Sequence, residues 1–271
     1  MDLQNAQIGF VGGGAMAENI LRGILSAGIV PADHITVSEI HPQRRSYIQE
    51  TFQVQTTQDN RGLAARADII VLAVKPQNLK ALLEEIAPAV NNQKLILSIA
   101  AGITTDAIAR CLSAKGRIVR IMPNIAAKVL ESASALCAGP AAGEADLGLA
   151  CELFAATGKT VVITEGLMDA VTGLSGSGPA YIFLVIESLA DAGVKAGLPR
   201  STACTLAAQT CLGAAKLVLE TEQSPAVLKD QVTSPAGTTI AGMQVLEKGA
   251  VRGTIMEAVE AAVARSRELG S

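Results

Sequence analysis

The chain has 271 residues, of which 49% are hydrophobic and only 2% are aromatic, and its formal net charge is −3. This length and apolar content suffice for two domains or one large one with a buried core. The scarcity of aromatic residues favours helical and α/β layers over an aromatic-rich β-sandwich. The small negative charge excludes a broadly basic surface, so we expect no nucleic-acid partner and no electrostatic attraction to anionic lipid.

The five cysteines form no CxxC pair, and the chain has only two histidines. This composition indicates buried thiols in a reducing compartment, and it predicts no metal site. The N-terminus enters an apolar run without the pattern of a signal peptide. No segment stays uncharged and apolar for about 20 residues, the length that a membrane span needs. We therefore expect a cytoplasmic protein without a membrane-spanning segment.

Apolar runs and helical patterns alternate through the first half of the chain. Strands are predicted at residues 7–11, 35–38, 68–74, 95–99 and 118–121. Helices are predicted from the first glycine turn to about residue 27, at 44–51 and at 79–89. The third run is continuously apolar, which is typical of a strand that is buried on both faces. This alternation predicts an N-terminal Rossmann-type α/β domain with a parallel, doubly wound sheet.

A glycine-rich motif follows the first predicted strand and opens a helix. In the pattern Gly12-x-Gly14-x-x-Ala17, Gly12 permits a tight turn, Gly14 lets the backbone approach a pyrophosphate, and Ala17 allows the helix to pack on the strand. The phosphates would bind to free N–H groups at the helix N-terminus. The motif predicts a dinucleotide cofactor, bound by Gly12, Gly13, Gly14, Ala15, Met16 and Ala17.

The end of the second predicted strand bears on the choice between NADPH and NADH. Glu39 stands where an acidic side chain would bind the 2′-hydroxyl of NADH and repel a 2′-phosphate. Arg44 and Arg45 follow it. They either offset its charge or form a solvated first turn of helix, so NADPH and NADH both remain candidates.

The later strand ends supply further candidates, because ligands of open α/β sheets lie at the carboxyl ends of the strands. Lys75 follows the third predicted strand and invites a catalytic interpretation, but backbone contact suits this position better, and we interpret it as a positioning residue. The remaining cofactor candidates at these ends are Ala73, Val74, Pro76, Ala100, Ala101, Pro123 and Asn124.

Strand-like runs stop after residue 164, and Ala- and Leu-rich helical segments replace them. Helices are predicted at 178–196, 201–221, 224–232, 238–248 and 251–268. We place the domain boundary so that residues 1–163 bind the dinucleotide and residues 164–271 form an all-α domain. That domain is either a helical cap on the first domain or a dimerisation domain of closely packed helices.

Two turns in the helical half predict a substrate site. Residues 234–239 precede an apolar helix, so their free N–H groups form an anion site without an arginine, and Gly237 and Thr238 belong to it. The turn 176–179 carries Ser177 and Gly178, and its glycines allow close backbone approach.

Two segments of the helical half, TGLSGSGPAY at 172–181 and LKDQVTSPAGTT at 228–239, resemble the Δ1-pyrroline-5-carboxylate reductase family of the bacterial type, and the resemblance runs nearly end to end. It implies hydride transfer from NADPH or NADH to the imine carbon of pyrroline-5-carboxylate, which yields L-proline in the final step of proline biosynthesis. The imine nitrogen can be protonated before attack, so such an enzyme mainly aligns the reactants and excludes water. The resemblance also implies a homodimer and, in some members, a ring of dimers.

The resemblance assigns roles to individual residues. Ser38 and Asn60 match residues that help to hold the NADPH end of the cofactor, and the segment 73–77 matches one that lines the nicotinamide ribose. Thr239 matches the threonine whose hydroxyl would hydrogen-bond the ring nitrogen, so we predict it as the catalytic residue. Glu165 and Gln231 match polar residues near the substrate, although some members carry asparagine in place of Gln231.

Two alternatives remain. A related two-domain imine or hydroxyacid reductase would share the N-terminal architecture, but the hydroxyacid enzymes need a lysine on the helix entering the second domain, and residues 167–181 contain none. A non-catalytic, NAD(P)-binding regulatory module would keep Gly12 and Gly14 but would have no need of the segment 234–239.

Overall fold

A mostly parallel sheet organises the first half of the chain. The computed structural model describes residues 2–270, and within them the sheet has eight strands. The strands are β1 (Ile8–Val11), β2 (Ile35–Ser38), β3 (Gln55–Thr57), β4 (Ile69–Leu72), β5 (Leu95–Ser98), β6 (Arg117–Met122), β7 (Ser132–Ala138) and β8 (Gly158–Val162). Their spatial order is β3-β2-β1-β4-β5-β6-β7-β8. Strands β1 to β6 are parallel, β7 runs antiparallel to β6, and β8 is parallel to β7. The predicted doubly wound fold is confirmed.

The register of the strands brings their carboxyl ends to one edge. Val11 at the end of β1 pairs with Ser38 at the end of β2 and with Leu72 at the end of β4. Leu72 in turn pairs with Ser98 at the end of β5. The chain order switches direction between β1 and β4, and that switch point is where open α/β sheets bind their ligands.

Helices cover both faces of this sheet and explain why β4 and β5 are buried along their whole length. The α-helices of this half are α1 (Ala15–Ser26), α2 (Pro42–Phe52), α3 (Asn60–Arg66), α4 (Pro76–Ile86), α5 (Thr105–Cys111), α6 (Glu144–Ala155) and α7 (Met168–Val171). Shorter 3-10 turns lie at Ala32–His34, Ala87–Ala89, Ile125–Val129 and Glu165–Leu167, and a π-helical turn occupies Thr172–Gly176. One apolar cluster packs α1, α2 and α6 on the sheet, and a second packs α3, α4 and α5.

The second half of the chain is helical. Its helices are α8 (Gly178–Lys195), α9 (Arg200–Thr221), α10 (Pro225–Gln231), α11 (Thr238–Lys248) and α12 (Val251–Gly270). The chain divides into two compact units, one made of the residues up to Gly176 together with those from Ala262 onwards, and the other made of Ser177–Ala261. The domain boundary at residue 163 stays a prediction.

The second unit leaves large apolar side chains exposed. Phe183, Leu184, Val245 and Met256 are 60%, 64%, 70% and 63% exposed, respectively. Such a concentration of exposed apolar side chains marks an interaction surface.

Helix α9 is the one helix among residues 2–270 that is long and apolar enough to cross a membrane by length and composition, and 11% of its apolar window is buried. Lys216 interrupts its apolar sequence. The absence of a membrane span stays a prediction, because an apolar helix that faces a protein partner passes the same test.

Candidate functional site

The turn after β1 accepts only glycine at its first position. Gly12 has a φ of +101°, and a Cβ added to it would lie 2.7 Å from the carbonyl oxygen of Ala73. Its N–H donates a 2.9 Å hydrogen bond to the carbonyl oxygen of Ser38. The left-handed backbone and the close approach to Ala73 both disfavour a side chain at this position. The absence of a side chain lets Gly12, at the end of β1, lie directly against the ends of β2 and β4.

The N-terminus of α1 is open. Gly14 is the N-cap residue, no side chain caps the helix, and a Cβ added to Gly14 would meet nothing within 4 Å. Ala17 is only 1% exposed and packs in the first apolar cluster. An uncapped first turn offers free N–H groups and the positive end of the helix dipole, so these residues fit a dinucleotide diphosphate.

Both backbone polar groups of Gly13 are hydrogen-bonded to side chains. Its N–H donates to Oε2 of Glu39 at 3.1 Å, and its carbonyl oxygen accepts from Nε of Arg44 at 2.6 Å. The other carboxylate oxygen of Glu39 accepts from the N–H of His41 at 3.0 Å. Glu39 therefore lies against the glycine turn, and Arg44 is not the solvated residue that the sequence allowed.

Glu18, in the first turn of α1, accepts hydrogen bonds from three side chains. Its carboxylate accepts from Arg44 at 2.6 Å, from the Tyr47 hydroxyl at 2.9 Å and from Arg22 at 3.2 Å. Burial raises the pKa of this carboxyl, but the hydrogen bonds from Arg44 and Tyr47 outweigh it and hold the pKa below its ordinary value. The guanidinium of Arg44 also lies 4.9 Å from the centre of the Tyr47 ring.

Ser38 and Asn60, predicted at the same end of the cofactor, lie side by side. The Ser38 hydroxyl donates to Oδ1 of Asn60 at 2.5 Å, and the Asn60 amide donates to Glu85 at 3.0 Å. Ser38 is only 2% exposed. The structure thus brings the two residues together, while their contact with the cofactor stays a prediction.

The other cofactor candidates follow β4, β5 and β6 at the same edge. Lys75 is exposed and is the N-cap residue of α4, with Pro76 as the first helical residue. A Cβ on Gly12 would also contact Val74, so this segment borders the glycine turn. Ala100 is buried and Ala101 is exposed in the turn after β5.

Asn124, after β6 and Pro123, uses its polar groups within the chain. Its N–H donates to the Ser132 hydroxyl at 3.1 Å, its Oδ1 accepts from the N–H of Ala126 at 3.1 Å, and its Nδ2 donates to the carbonyl oxygen of Ser175 at 3.0 Å. Ser175 belongs to the π-helical turn, a conformation that is frequent at functional sites. Asn124 therefore fixes that turn.

Glu165 is engaged by two residues that the sequence did not indicate. Its carboxylate accepts from the backbone N–H and the hydroxyl of Thr105, at 2.7 and 2.6 Å, and from Arg120 at 3.3 Å. Arg120 is only 5% exposed. Burial, with the nearby charge of Glu165, raises the pKa of the Cys137 thiol to about 11. An ion pair between residues 45 positions apart leaves no local pattern in the sequence.

The predicted anion turn in the second unit has an open helix N-terminus. Gly237 is the N-cap residue of α11, no side chain caps the helix, and Thr238 and Thr239 are its first two residues. A Cβ on Gly237 would lie 2.3 Å from the Ser234 hydroxyl. Thr239 is half-buried, and its hydroxyl makes no hydrogen bond within residues 2–270. The first turn of α11 therefore fits a carboxylate.

The other substrate-side candidates of this unit lie at helix ends. Ser177 is the N-cap residue of α8, and Gly178 is its first residue. Gln231 is the last residue of α10, and its side chain donates to Gln223 at 2.8 Å. Gln231 is thus already partnered.

Comparison with known proteins identifies relatives along the whole chain. Residues 165–269 match the family described as pyrroline-5-carboxylate reductase dimerisation, and residues 7–102 match the family described as NADP oxidoreductase, coenzyme F420-dependent. The pyrroline-5-carboxylate reductase of Methanosarcina acetivorans is 46% identical over 268 residues, which cover 99% of each chain. A solved structure of a pyrroline-5-carboxylate reductase from Coxiella burnetii has a TM-score of 0.94 at 40% identity, covering 98% of this chain and 99% of that one. Plasmodium falciparum pyrroline carboxylate reductase, solved with NADP bound, has a TM-score of 0.88 at 34% identity and covers 99% of this chain and 100% of its own.

Proposed function

Because this chain belongs to the pyrroline-5-carboxylate reductase family, we propose a division of roles among its residues for that reaction. The protein is an oxidoreductase that reduces Δ1-pyrroline-5-carboxylate to L-proline with NAD(P)H, the final step of proline biosynthesis. The observation that carries this function is the full-length identity of 46%, which spans both the glycine turn and the turn before α11.

The cofactor binds along the carboxyl edge of the sheet. The first turn of α1, at Gly14 and Ala15, holds the diphosphate through its uncapped N–H groups. Ser38, Glu39 and Asn60 contact the adenosine end, and the turns after β4, β5 and β6 line the nicotinamide half. When bound, the cofactor supplies the hydride, and the chain supplies binding, orientation and exclusion of water.

The substrate carboxylate binds to the first turn of α11. Gly237 and Thr238 contribute backbone N–H groups there, and the helix dipole adds a partial positive charge. The Thr239 hydroxyl holds the ring nitrogen by a hydrogen bond and orients the imine. An imine that arrives already protonated makes an obligatory proton donor unnecessary, so Thr239 serves mainly in orientation.

The remaining substrate-side residues are assigned supporting roles. Ser177 and Gly178 present backbone at the start of α8. Glu165 would contact substrate only by sharing its carboxylate with Thr105 and Arg120, and Gln231 only by leaving Gln223. The hydrogen bonds of both residues favour an indirect contribution.

The protein self-associates, as its match to a dimerisation family indicates. We propose a homodimer in which the exposed apolar side chains of the second unit meet those of another copy. We also propose that the dimers assemble into a ring, that the protein is cytoplasmic, and that it has no nucleic-acid or membrane partner.

Initial-rate kinetics on pyrroline-5-carboxylate with NADH and NADPH in parallel test this function. Oxidation of either cofactor that depends on the imine and yields an equal amount of proline is expected. Binding of NAD(P)H without turnover would instead identify a regulatory module, and turnover of other imines or hydroxyacids alone would identify a related reductase.

A further inference from the structure

We infer that Arg44 is a positioning residue for the cofactor diphosphate, acting through the peptide group between Gly13 and Gly14. This inference rests on the proposed function, because it presumes that the glycine turn binds NAD(P)H. Arg44 lies in α2, 31 residues along the chain from the carbonyl oxygen that it holds.

The peptide group between Gly13 and Gly14 is oriented by its hydrogen bond to Arg44. In a trans peptide the C=O of one residue and the N–H of the next point in opposite directions. Nε of Arg44 binds the carbonyl oxygen of Gly13 at 2.6 Å. The N–H of Gly14 therefore points away from Arg44. Gly14 itself is exposed, and a Cβ added to it would meet no atom within 4 Å. Arg44 thus sets the direction of an N–H group that a phosphate would use.

A second contact fixes the preceding peptide plane. The N–H of Gly13 donates to Glu39 at 3.1 Å. Glycine has more backbone freedom than any other residue and loses the most entropy when it is ordered. With the N–H held by Glu39 and the C=O held by Arg44, Gly13 is ordered before the cofactor binds, and this preorganisation lowers the entropic cost of binding.

Arg44 also compensates a negative charge near the glycine turn. Glu18 lies in the first turn of α1, where its carboxylate would repel a diphosphate at the same helix N-terminus. Arg44 binds that carboxylate at 2.6 Å through NH2. Its guanidinium thus joins Gly13 to Glu18 and compensates the nearest negative charge of the helix. Its Nε and Nη2 atoms thus serve partners at the diphosphate end of the turn, which NADH and NADPH share.

Arg22 provides a matched control. It also pairs with Glu18, at 3.2 Å, and it packs over the Phe52 ring at 5.4 Å. Both arginines therefore carry the same charge and share one carboxylate, but the hydrogen bond to the glycine turn belongs to Arg44.

The test is calorimetric titration of the full-length protein with NADH, NADPH and ADP-ribose, which all carry the diphosphate. For Arg44→Gln we expect the dissociation constants of all three to rise by a similar factor of about ten, the value of a charge-assisted hydrogen bond. For Arg22→Gln we expect changes of less than about twofold. Arg44→Lys keeps the positive charge but lacks the planar guanidinium that reaches two partners. Its dissociation constants should therefore lie between those of wild type and those of Arg44→Gln.

Three outcomes would overturn the inference. A loss confined to NADPH would make Arg44 a ligand of the 2′-phosphate. Unchanged dissociation constants in Arg44→Gln would show that the glycine turn holds its conformation unaided, and complete recovery in Arg44→Lys would show that charge alone matters. Thermal unfolding of each variant identifies a folding defect, and Arg44→Lys then carries the test. Wild-type protein that binds NAD(P)H without reducing the imine would contradict the proposed function and leave this binding test intact.

Discussion

The hydroxyl of Thr105 donates a 2.6 Å hydrogen bond to Glu165, joining the start of α5 to a residue 60 positions later in the chain. The same carboxylate accepts from the N–H of Thr105 and from Arg120. It therefore supports the fold of the first unit, whether or not it contacts substrate.

We expect Glu165→Gln to lower the free energy of unfolding by about 2 kcal/mol, because it removes the charge that compensates the buried Arg120. Urea denaturation at a fixed protein concentration measures the change. Glu152→Gln, an exposed change on α6, should leave stability within about 0.5 kcal/mol. Equal stability of Glu165→Gln and wild type would contradict the structural role.

Glu39 should make the cofactor choice less strict. Replacing it by glutamine removes a negative charge while keeping an oxygen that can accept from Gly13 or His41. We expect the ratio of NADPH to NADH efficiencies to rise about fivefold, which corresponds to roughly 1 kcal/mol of relieved repulsion near the surface. Parallel kcat/KM measurements report the ratio. An unchanged ratio would mean that the carboxylate does not face the ribose.

Thr239→Val keeps the shape of the side chain and removes the hydroxyl. We expect kcat/KM for the imine to fall by about two- to 150-fold, the value of a hydrogen bond of about 0.5 to 3 kcal/mol. Residual activity relative to wild type should grow as pH falls through the titration range of the imine, because a protonated imine needs less assistance.

The control for Thr239→Val is Thr160→Val, which changes the same atoms on the edge strand β8 and should leave kcat/KM as in wild type. Wild-type rates of Thr239→Val at every pH would exclude its hydroxyl from the chemistry. Complete inactivity with intact binding of a substrate analogue would make it an indispensable proton donor.

The exposed apolar side chains of the second unit should lie in a dimer interface of more than about 2,000 Å². Leu184→Glu places a charge among them and should shift the protein towards monomer in sedimentation velocity at micromolar concentration. Val129→Glu makes the same kind of change at an exposed position of the first unit and should leave the dimer intact. A wild-type protein that is a stable, active monomer at micromolar concentration would disprove this interface.

Stability should depend on the ionisation of Glu18. Its pKa is held below the ordinary 4.5 in the folded protein, so the ionised carboxylate stabilises the fold above that pH and the stabilisation is lost as pH falls through the lowered folded pKa. The stability difference between wild type and Glu18→Gln should be constant near neutral pH and shrink below about pH 4.5. Chemical denaturation at several pH values measures it, and a difference independent of pH would contradict the shift.

The sequence predicted the strands whose own residues are apolar, and missed those that depend on neighbours. Strands β1, β2, β4, β5 and β6 have the sequences IGFV, ITVS, IIVL, LILS and RIVRIM, in which Ile, Val, Leu and Phe make up half of the residues or more, and the sequence located each of them. Strands β3, β7 and β8 have the sequences QTT, SASALCA and GKTVV. These strands are short or rich in small and polar residues, so pairing with an adjacent strand determines their conformation.

The candidate site shows the same division. Gly12 and Gly14 were identifiable because a tight turn and the close approach of backbone to a diphosphate favour glycine at a fixed spacing in the sequence. The bonds from Arg44 to Gly13 and from Thr105 to Glu165 join side chains 31 and 60 residues apart. A single sequence carries no periodic or local signal for such pairs, because only the folded backbone brings them together.

The buried apolar side chains of the second unit's described residues are three alanines, Ala190, Ala203 and Ala207. Alanine loses little apolar area on burial, so this unit gains little of its stability from its own core. Folding of the helices and association of two copies should then be thermodynamically linked, and the melting temperature should rise with total protein concentration. A newly made chain would complete its structure only after meeting another, so the cellular level of the protein would itself influence how much of it is folded.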